Sequence, residues 1–256
     1  MTVFRFDGSF DGLLTGVFLA YSAKKRPECV VAPGGEMPLF SSDVVDVVTD
    51  VSKSERVWNA LLRKVSRGAA SAMAISFLCE DNAFYTSLFR FICRVFDSAE
   101  NVESDFSDAD LLAILENSRR VKGEAHRVVQ FMRFQKAADD TYFGIMEPRY
   151  DVMHMAVEHF RDRFSDGKFI IYDRRRDYGY YYDGRRLERM RLSSDRSHMT
   201  TGILPDDMAD ADEQLFQKLW RTYFKYTAIP ERINPRKQRQ DMPVRFWKYL
   251  TEKNGL

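Results

Sequence analysis

Glu124, His126, His159 and Asp173 are side chains of the types that transfer protons, since a positioned carboxylate or imidazole can take up and return one. Two of them lie in the segment Lys122-Gly-Glu-Ala-His-Arg-Val-Val-Gln-Phe-Met-Arg-Phe. At about 100° per residue, Val121, Ala125, Val128 and Met132 form one apolar stripe of a helix. Arg119, Lys122, His126, Gln130 and Arg133 then occupy an arc of about 80° beside that stripe, with Glu124 and Arg127 on its flanks. Donors in such a row suit a phosphate backbone or the wall of a cleft; an ordinary solvated face is the plainer alternative. If the protein is an enzyme, His126 is its acid–base group, with Glu124, Arg133, His159 and Asp173 around it. Asp173, closing a strand that begins at Phe169, would orient the base or pair with an arginine. A packed structural histidine is the competing reading.

Metal and cofactor chemistry find little in the sequence. His154 and His159 are five residues apart, about 140° around a helix, and no third ligand accompanies them. Cys29, Cys79 and Cys93 are odd in number and widely spaced, which argues against a disulfide framework, and no Cys-x-x-Cys occurs. There is no nucleophile elbow, P-loop or dinucleotide-binding glycine pattern. No metal and no cofactor is therefore assigned.

The formal charge of +1 over 256 residues hides an asymmetry: residues 1–115 carry a net −5 and residues 116–256 a net +6. Residues 161–191 hold ten Arg/Lys against six Asp/Glu, interleaved with Tyr172, Tyr178, Tyr180, Tyr181 and Tyr182. Residues 231–253 hold seven against three, interleaved with Phe246, Trp247 and Tyr249. Cations mixed with rings are what a nucleic-acid surface needs, because phosphates take charge and unstacked bases take a ring. Lys122, Arg127, Arg133, Arg163, Arg174 and Arg175 are the candidate contacts in the middle of the chain; Arg232, Arg236, Lys237 and Arg239 are those of the tail. Intramolecular Arg–Asp pairing is the competing account.

Several elements must position these residues. Residues 2–6 alternate as a strand, Ser9 caps a helix with Leu13, Leu14 and Val17 on its apolar face, and short edge strands follow at 29–32 and 44–49. Ser52-x-x-Glu55 and Ser107-x-x-Asp110 read as capping boxes, the second opening helical segments that run to about Ala137 with a break near Gly123. Two helices fill 69–97, broken near Glu80-Asp81. Strands are expected at 141–147, 168–174, 178–183 and 186–192, with a helix capped by Asp151 at 151–164. A loop at 193–208 precedes a helix at 209–226, and Phe246, Trp247 and Leu250 are expected to dock the tail on the body. The sum is an α+β protein: helix-rich at first, then a small mostly antiparallel sheet, then a helical tail. It reads as a single domain over 1–256 with two lobes, an acidic and mostly helical 1–104 and a basic α+β 105–256. No run of about 18 apolar residues and no leader-like opening occurs, so a cytoplasmic protein with no membrane partner is expected.

The opening Phe6-Asp-Gly-Ser-Phe-Asp-Gly-Leu-Leu, the helix Glu124-x-His-Arg-x-x-x-Phe-x-Arg-Phe, and His159-Phe-x-x-Arg-Phe leading to Ile171-Tyr-Asp-Arg resemble one bacterial family, as do the closing Arg232-x-Asn and Met242-Pro-x-Arg-Phe-Trp-Lys-Tyr-Leu. That family, of unknown function, is labelled a probable DNA metabolism protein. The resemblance implies DNA and a radical-SAM protein as partners, in DNA modification or repair; some members are fused to a uracil-DNA-glycosylase-like domain. It carries over no catalytic residues. The chain lacks the Cys-x-x-x-Cys-x-x-Cys cluster that radical chemistry requires, so another polypeptide would perform it. The leading expectation is an accessory nucleic-acid-binding protein. The rivals are an enzyme on DNA or nucleotides using His126, and a protein-interaction adaptor.

Overall fold

A computed structural model describes residues 1–192, 204, 208–227 and 229–253, and these divide into two compact units, Met1–Lys122 and Gly123–Leu256. In the first unit, Thr2–Arg5 (β1) is the centre of a three-stranded parallel sheet, flanked by Cys29–Val31 (β2) and Asp43–Asp46 (β3). Val3 and Phe4 are successive residues of β1 and both are buried, as befits a parallel strand covered on both faces. The helices are Phe10–Ser22 (α1), Val51–Lys64 (α2), Arg67–Phe77 (α3) and Asn82–Asp97 (α4). Leu13 of α1, Leu61 of α2, Met73 of α3 and Leu88 of α4 are fully buried. Ser9 caps α1 as expected, its hydroxyl accepting the N–H of Gly12. The two capping boxes are replaced by carboxylate caps. Asp50 accepts the Lys53 N–H ahead of α2, and Asp108 accepts those of Asp110 and Leu111 ahead of Ala109–Phe131 (α5). A full negative charge at a helix start gains more from the dipole than a hydroxyl does.

α5 runs without a break through Gly123 and stops at Phe131, earlier than its periodicity implied. Phe134–Lys136 is a strand (β4), because its ladder with Thr141–Met146 (β5) outweighs the local helical pattern. The second unit is built on a five-stranded sheet in which β4 and β5 are joined by Lys168–Asp173 (β6), Tyr178–Tyr182 (β7) and Leu187–Met190 (β8), in chain order. Three of its pairings are antiparallel; β5 and β6 are parallel, linked by the crossover helix Met153–Arg163 (α6). Asp151 does not cap α6. Val152 holds that position, and the Asp151 carboxylate accepts the Tyr178 hydroxyl instead. The loop read at 193–208 lies almost wholly outside the described residues. Beyond it come Glu213–Thr227 (α7), a 3-10 turn Pro230–Arg232, Pro235–Asp241 (α8) and a 3-10 helix Val244–Tyr249. Phe246 and Leu250 are fully buried and Trp247 is half-buried, so the tail docks chiefly through the first and last of the three residues expected. No helix among the described residues is long and apolar enough to cross a membrane.

Gly179 of β7 shows how tightly this sheet closes. A Cβ there would stand 2.3 Å from the carbonyl oxygen of Ile171 and 2.7 Å from the ring of Tyr172, both in the paired strand β6. Backbone in a ladder cannot yield as a side-chain end can. Gly179→Ala is therefore expected to cost about 3 kcal/mol, lowering the thermal midpoint by roughly 6–12 °C. A calorimetric midpoint unchanged from the parent would contradict this packing.

Candidate functional site

β5 and β6 end side by side, Met146 opposite Asp173, and lead into two loops at 147–152 and 174–177. In open α/β sheets ligands meet the carboxyl ends of parallel strands, and β5–β6 is the one parallel pair of this five-stranded sheet. Two buried carboxylates organise the loops. Glu124 lies among the inward residues Val121, Ala125 and Val128 of α5 and is 1% exposed. It accepts the Arg149 N–H at 2.7 Å, and its other oxygen accepts the guanidinium groups of Arg245 at 2.5 Å and Arg127 at 3.4 Å. A carboxylate removed from water demands such partners. Asp173 is fully buried at the end of β6. It accepts the backbone N–H groups of Arg175 at 2.9 Å and Arg176 at 3.2 Å, and the Arg176 guanidinium at 2.7 Å. Burial raises its pKa, against the opposing pull of Arg176.

The guanidinium groups then bind the first loop to the second. Arg176 donates to the carbonyls of Pro148 and Arg149, and Arg175 donates to that of Arg149 at 2.8 Å. Glu147 holds the outer corner, pairing with Lys248 at 2.5 Å and Arg174 at 3.3 Å. Burial alone would raise the Glu147 pKa, but Lys248 and its neighbours bring it below the ordinary value. The Tyr249 hydroxyl is buried beside them without a well-formed hydrogen bond, and burial raises its pKa although Lys248 and Arg174 pull the other way. Seven cations (Arg127, Arg149, Arg174, Arg175, Arg176, Arg245 and Lys248) thus share a frame with three carboxylates. The exposed guanidinium groups of Arg149 and Arg175 have no carboxylate partner among the described residues. Fixed guanidinium forks on a rigid frame match the geometry of phosphate oxygens.

The candidates named from sequence divide accordingly. Glu124, Asp173, Arg127, Arg174 and Arg175 come together in this frame. His126 is exposed and bonds Gln130 at 2.8 Å, while the exposed His159 sets its ring edge-on to Phe160; neither joins that hydrogen-bond network. Lys122 is exposed on the first unit's part of α5. Arg133 pairs with Glu252 at 2.7 Å, and with Arg163 it lines a groove beside α7. Arg232, Arg236 and Arg239 are exposed with no carboxylate partner among the described residues, whereas Lys237 pairs with Asp241. Sequence reasoning passed over Glu147, Arg149, Arg176, Arg245, Lys248 and Tyr249. The signal that would have found the first three was their place directly after two strands joined by a helix. Among the described residues no group of three or more His, Cys, Asp or Glu could hold a metal ion.

The fold and this frame define an α+β protein with a carboxylate-anchored arginine cluster at the ends of a parallel strand pair. The model of a family described as a domain of unknown function, DUF4130, matches residues 82–252, and the chain belongs to that family. The match takes in α4, α5 and every residue of the frame. No curated protein and no solved structure matches the chain.

Proposed function

We propose that this is an accessory nucleic-acid-binding protein in DNA repair or modification, acting beside a radical-SAM partner. The carrying observation is the frame at the ends of β5 and β6, where Arg149 and Arg175 stand exposed, without a carboxylate partner among the described residues, on backbone clamped by Glu124 and Asp173. The partner and the DNA context are supported by the resemblance of the Glu124, His159 and Met242 motifs. The enzyme reading gains nothing comparable: Glu124 and Asp173 are taken up by structural bonds, and His126 and His159 lie off that network.

Binding carried by phosphate contacts responds steeply to salt. The two contacts of Arg149 and Arg175 predict about a 12-fold loss of affinity between roughly 50 and 200 mM salt. Anisotropy of a labelled oligonucleotide measures this directly. Arg175→Ala is expected to weaken binding several-fold on every sequence alike and to lower the salt slope by about one. Affinity that ignores salt, or an Arg175→Ala protein that binds as well as the parent, would remove the frame from the function. Co-purification with the radical-SAM protein in the absence of DNA tests the partnership separately.

A further inference from the structure

We infer that the groove beside α7 receives an unstacked base of a single-stranded nucleic acid; this rests on the nucleic-acid-binding reading and adds strandedness to it. The groove has a volume of about 540 Å³ and lies wholly in the second unit, a size usual for sites that take small ligands. Its floor is aromatic: Phe164 stands 4.7 Å from Phe134 and 5.0 Å from Tyr142, centroid to centroid. Its wall is α7, a helix that buries only Glu213 of its fifteen residues. Phe216 is 59% exposed and Trp220 40% exposed. Water-facing rings on this scale mark a surface made to be covered.

Trp220 is held for that purpose. Its indole N–H donates to the buried Glu252 at 2.9 Å, its ring stacks on Tyr223 at 5.8 Å, and the Arg133 guanidinium lies 5.7 Å from its centroid. One edge of the indole is thereby fixed while the ring remains partly open to solvent. The charge at the groove selects the occupant. Arg133, Lys136 and Arg163 line it; Arg133 is paired with Glu252 and Lys136 with Asp140 and Asp210, so the exposed Arg163, with no carboxylate partner among the described residues, is the cation left for an anion. The one lining carboxylate, Glu213, is occupied by the N–H of Lys136 and by Gln217. A flat ring beside an anion satisfies both sets of groups at once, and that is a nucleotide. A base inside a duplex offers no free face, so the ring must come from a single strand or an extruded nucleotide.

The test compares a labelled oligothymidylate with a blunt duplex of equal length, at one salt concentration, on the intact protein. The single strand is expected to bind tighter. Trp220→Ala should weaken it about tenfold or more, leaving duplex affinity within twofold, and Trp220→Phe should restore most of the loss. Because Trp220 also bonds Glu252, Phe216→Ala and Arg163→Ala serve as variants at exposed side chains, Arg163 giving up only its contact with the Phe164 ring; each should weaken the single strand several-fold. Unchanged single-strand affinity in all three alanine variants, while Arg175→Ala still weakens binding, overturns the inference and leaves the broader reading intact. Binding of neither oligonucleotide by the parent protein overturns both. Loss of co-purification with a partner protein in Trp220→Ala, with oligonucleotide affinity unchanged, would assign the groove to a protein segment and also overturn the inference.

Discussion

Glu124→Gln is expected to destabilise the second unit by about 2–3 kcal/mol, seen as a fall of roughly 5–10 °C in its thermal midpoint. The carboxylate is 1% exposed and satisfies three donors at once: the Arg149 N–H, Arg245 and Arg127. Glutamine keeps one acceptor for the Arg149 N–H, but its amide group presents hydrogens to a guanidinium that presents hydrogens in return. The buried ion-pair loss would be larger were the arginines also enclosed. Arg245 and Arg127 are about two-fifths exposed, however, and water screens part of the change. The functional consequence should exceed the thermal one. With Arg245 and Arg127 no longer held to the carboxylate, the first loop keeps only the Arg149 N–H bond and loses part of its fixed geometry, and nucleic-acid affinity should fall further than in Arg175→Ala although Glu124 touches no ligand. Equal midpoints for Glu124→Gln and the parent would show that the frame is not held in this way.

Glu252→Gln carries the second large effect, and it depends on pH. Glu252 is 4% exposed and joins Arg133 at 2.7 Å to the Trp220 indole at 2.9 Å. Burial alone would raise its pKa, but Arg133 and Trp220 together bring it below the ordinary glutamate value of 4.5. A carboxylate whose folded pKa lies below its unfolded one contributes stability that is fully present above the unfolded value. That contribution is lost as pH falls through the folded value. At neutral pH the variant should therefore be less stable by about 2–3 kcal/mol. The gap should close as pH drops below about 4.5, because the parent loses what the variant never had. Denaturant midpoints from pH 7 down to pH 3 would show converging curves; parallel curves would mean that Glu252 keeps its ordinary pKa on folding. Glutamine leaves Arg133 and the Trp220 indole a single acceptor to share, so Trp220 is held less firmly and single-strand affinity should fall, though by less than in Trp220→Ala.

Much of the secondary structure was legible in the residues themselves. The Ser9 cap, the break near Glu80-Asp81, the strand run from 141 to 190 and the docking of Phe246 and Leu250 all follow from interactions reaching a few residues along the chain. Those interactions (caps, periodicity, side-chain volume) act in any fold that tolerates them. Where local signals competed, the sequence misled: Asp50 and Asp108 took caps assigned to Ser52 and Ser107, and Phe134–Lys136 left its helix for a ladder with β5. The second sheet is mostly antiparallel as expected, and its one parallel pairing, β5 with β6, follows from a strand–helix–strand order.

The candidate site was legible only as composition. The excess of arginine after residue 160 and the acidic first part belong to the sequence alone, and so does the nearness of Glu124 to an apolar stripe. Which guanidinium groups remain available belongs to the tertiary structure. Arg245 reaches Glu124 across 121 positions and Arg133 reaches Glu252 across 119, whereas Arg149 and Arg175 find no acid near enough among the described residues. Coulomb attraction and desolvation act through space at a few ångströms, and spacing along the chain carries no record of distances that only folding creates.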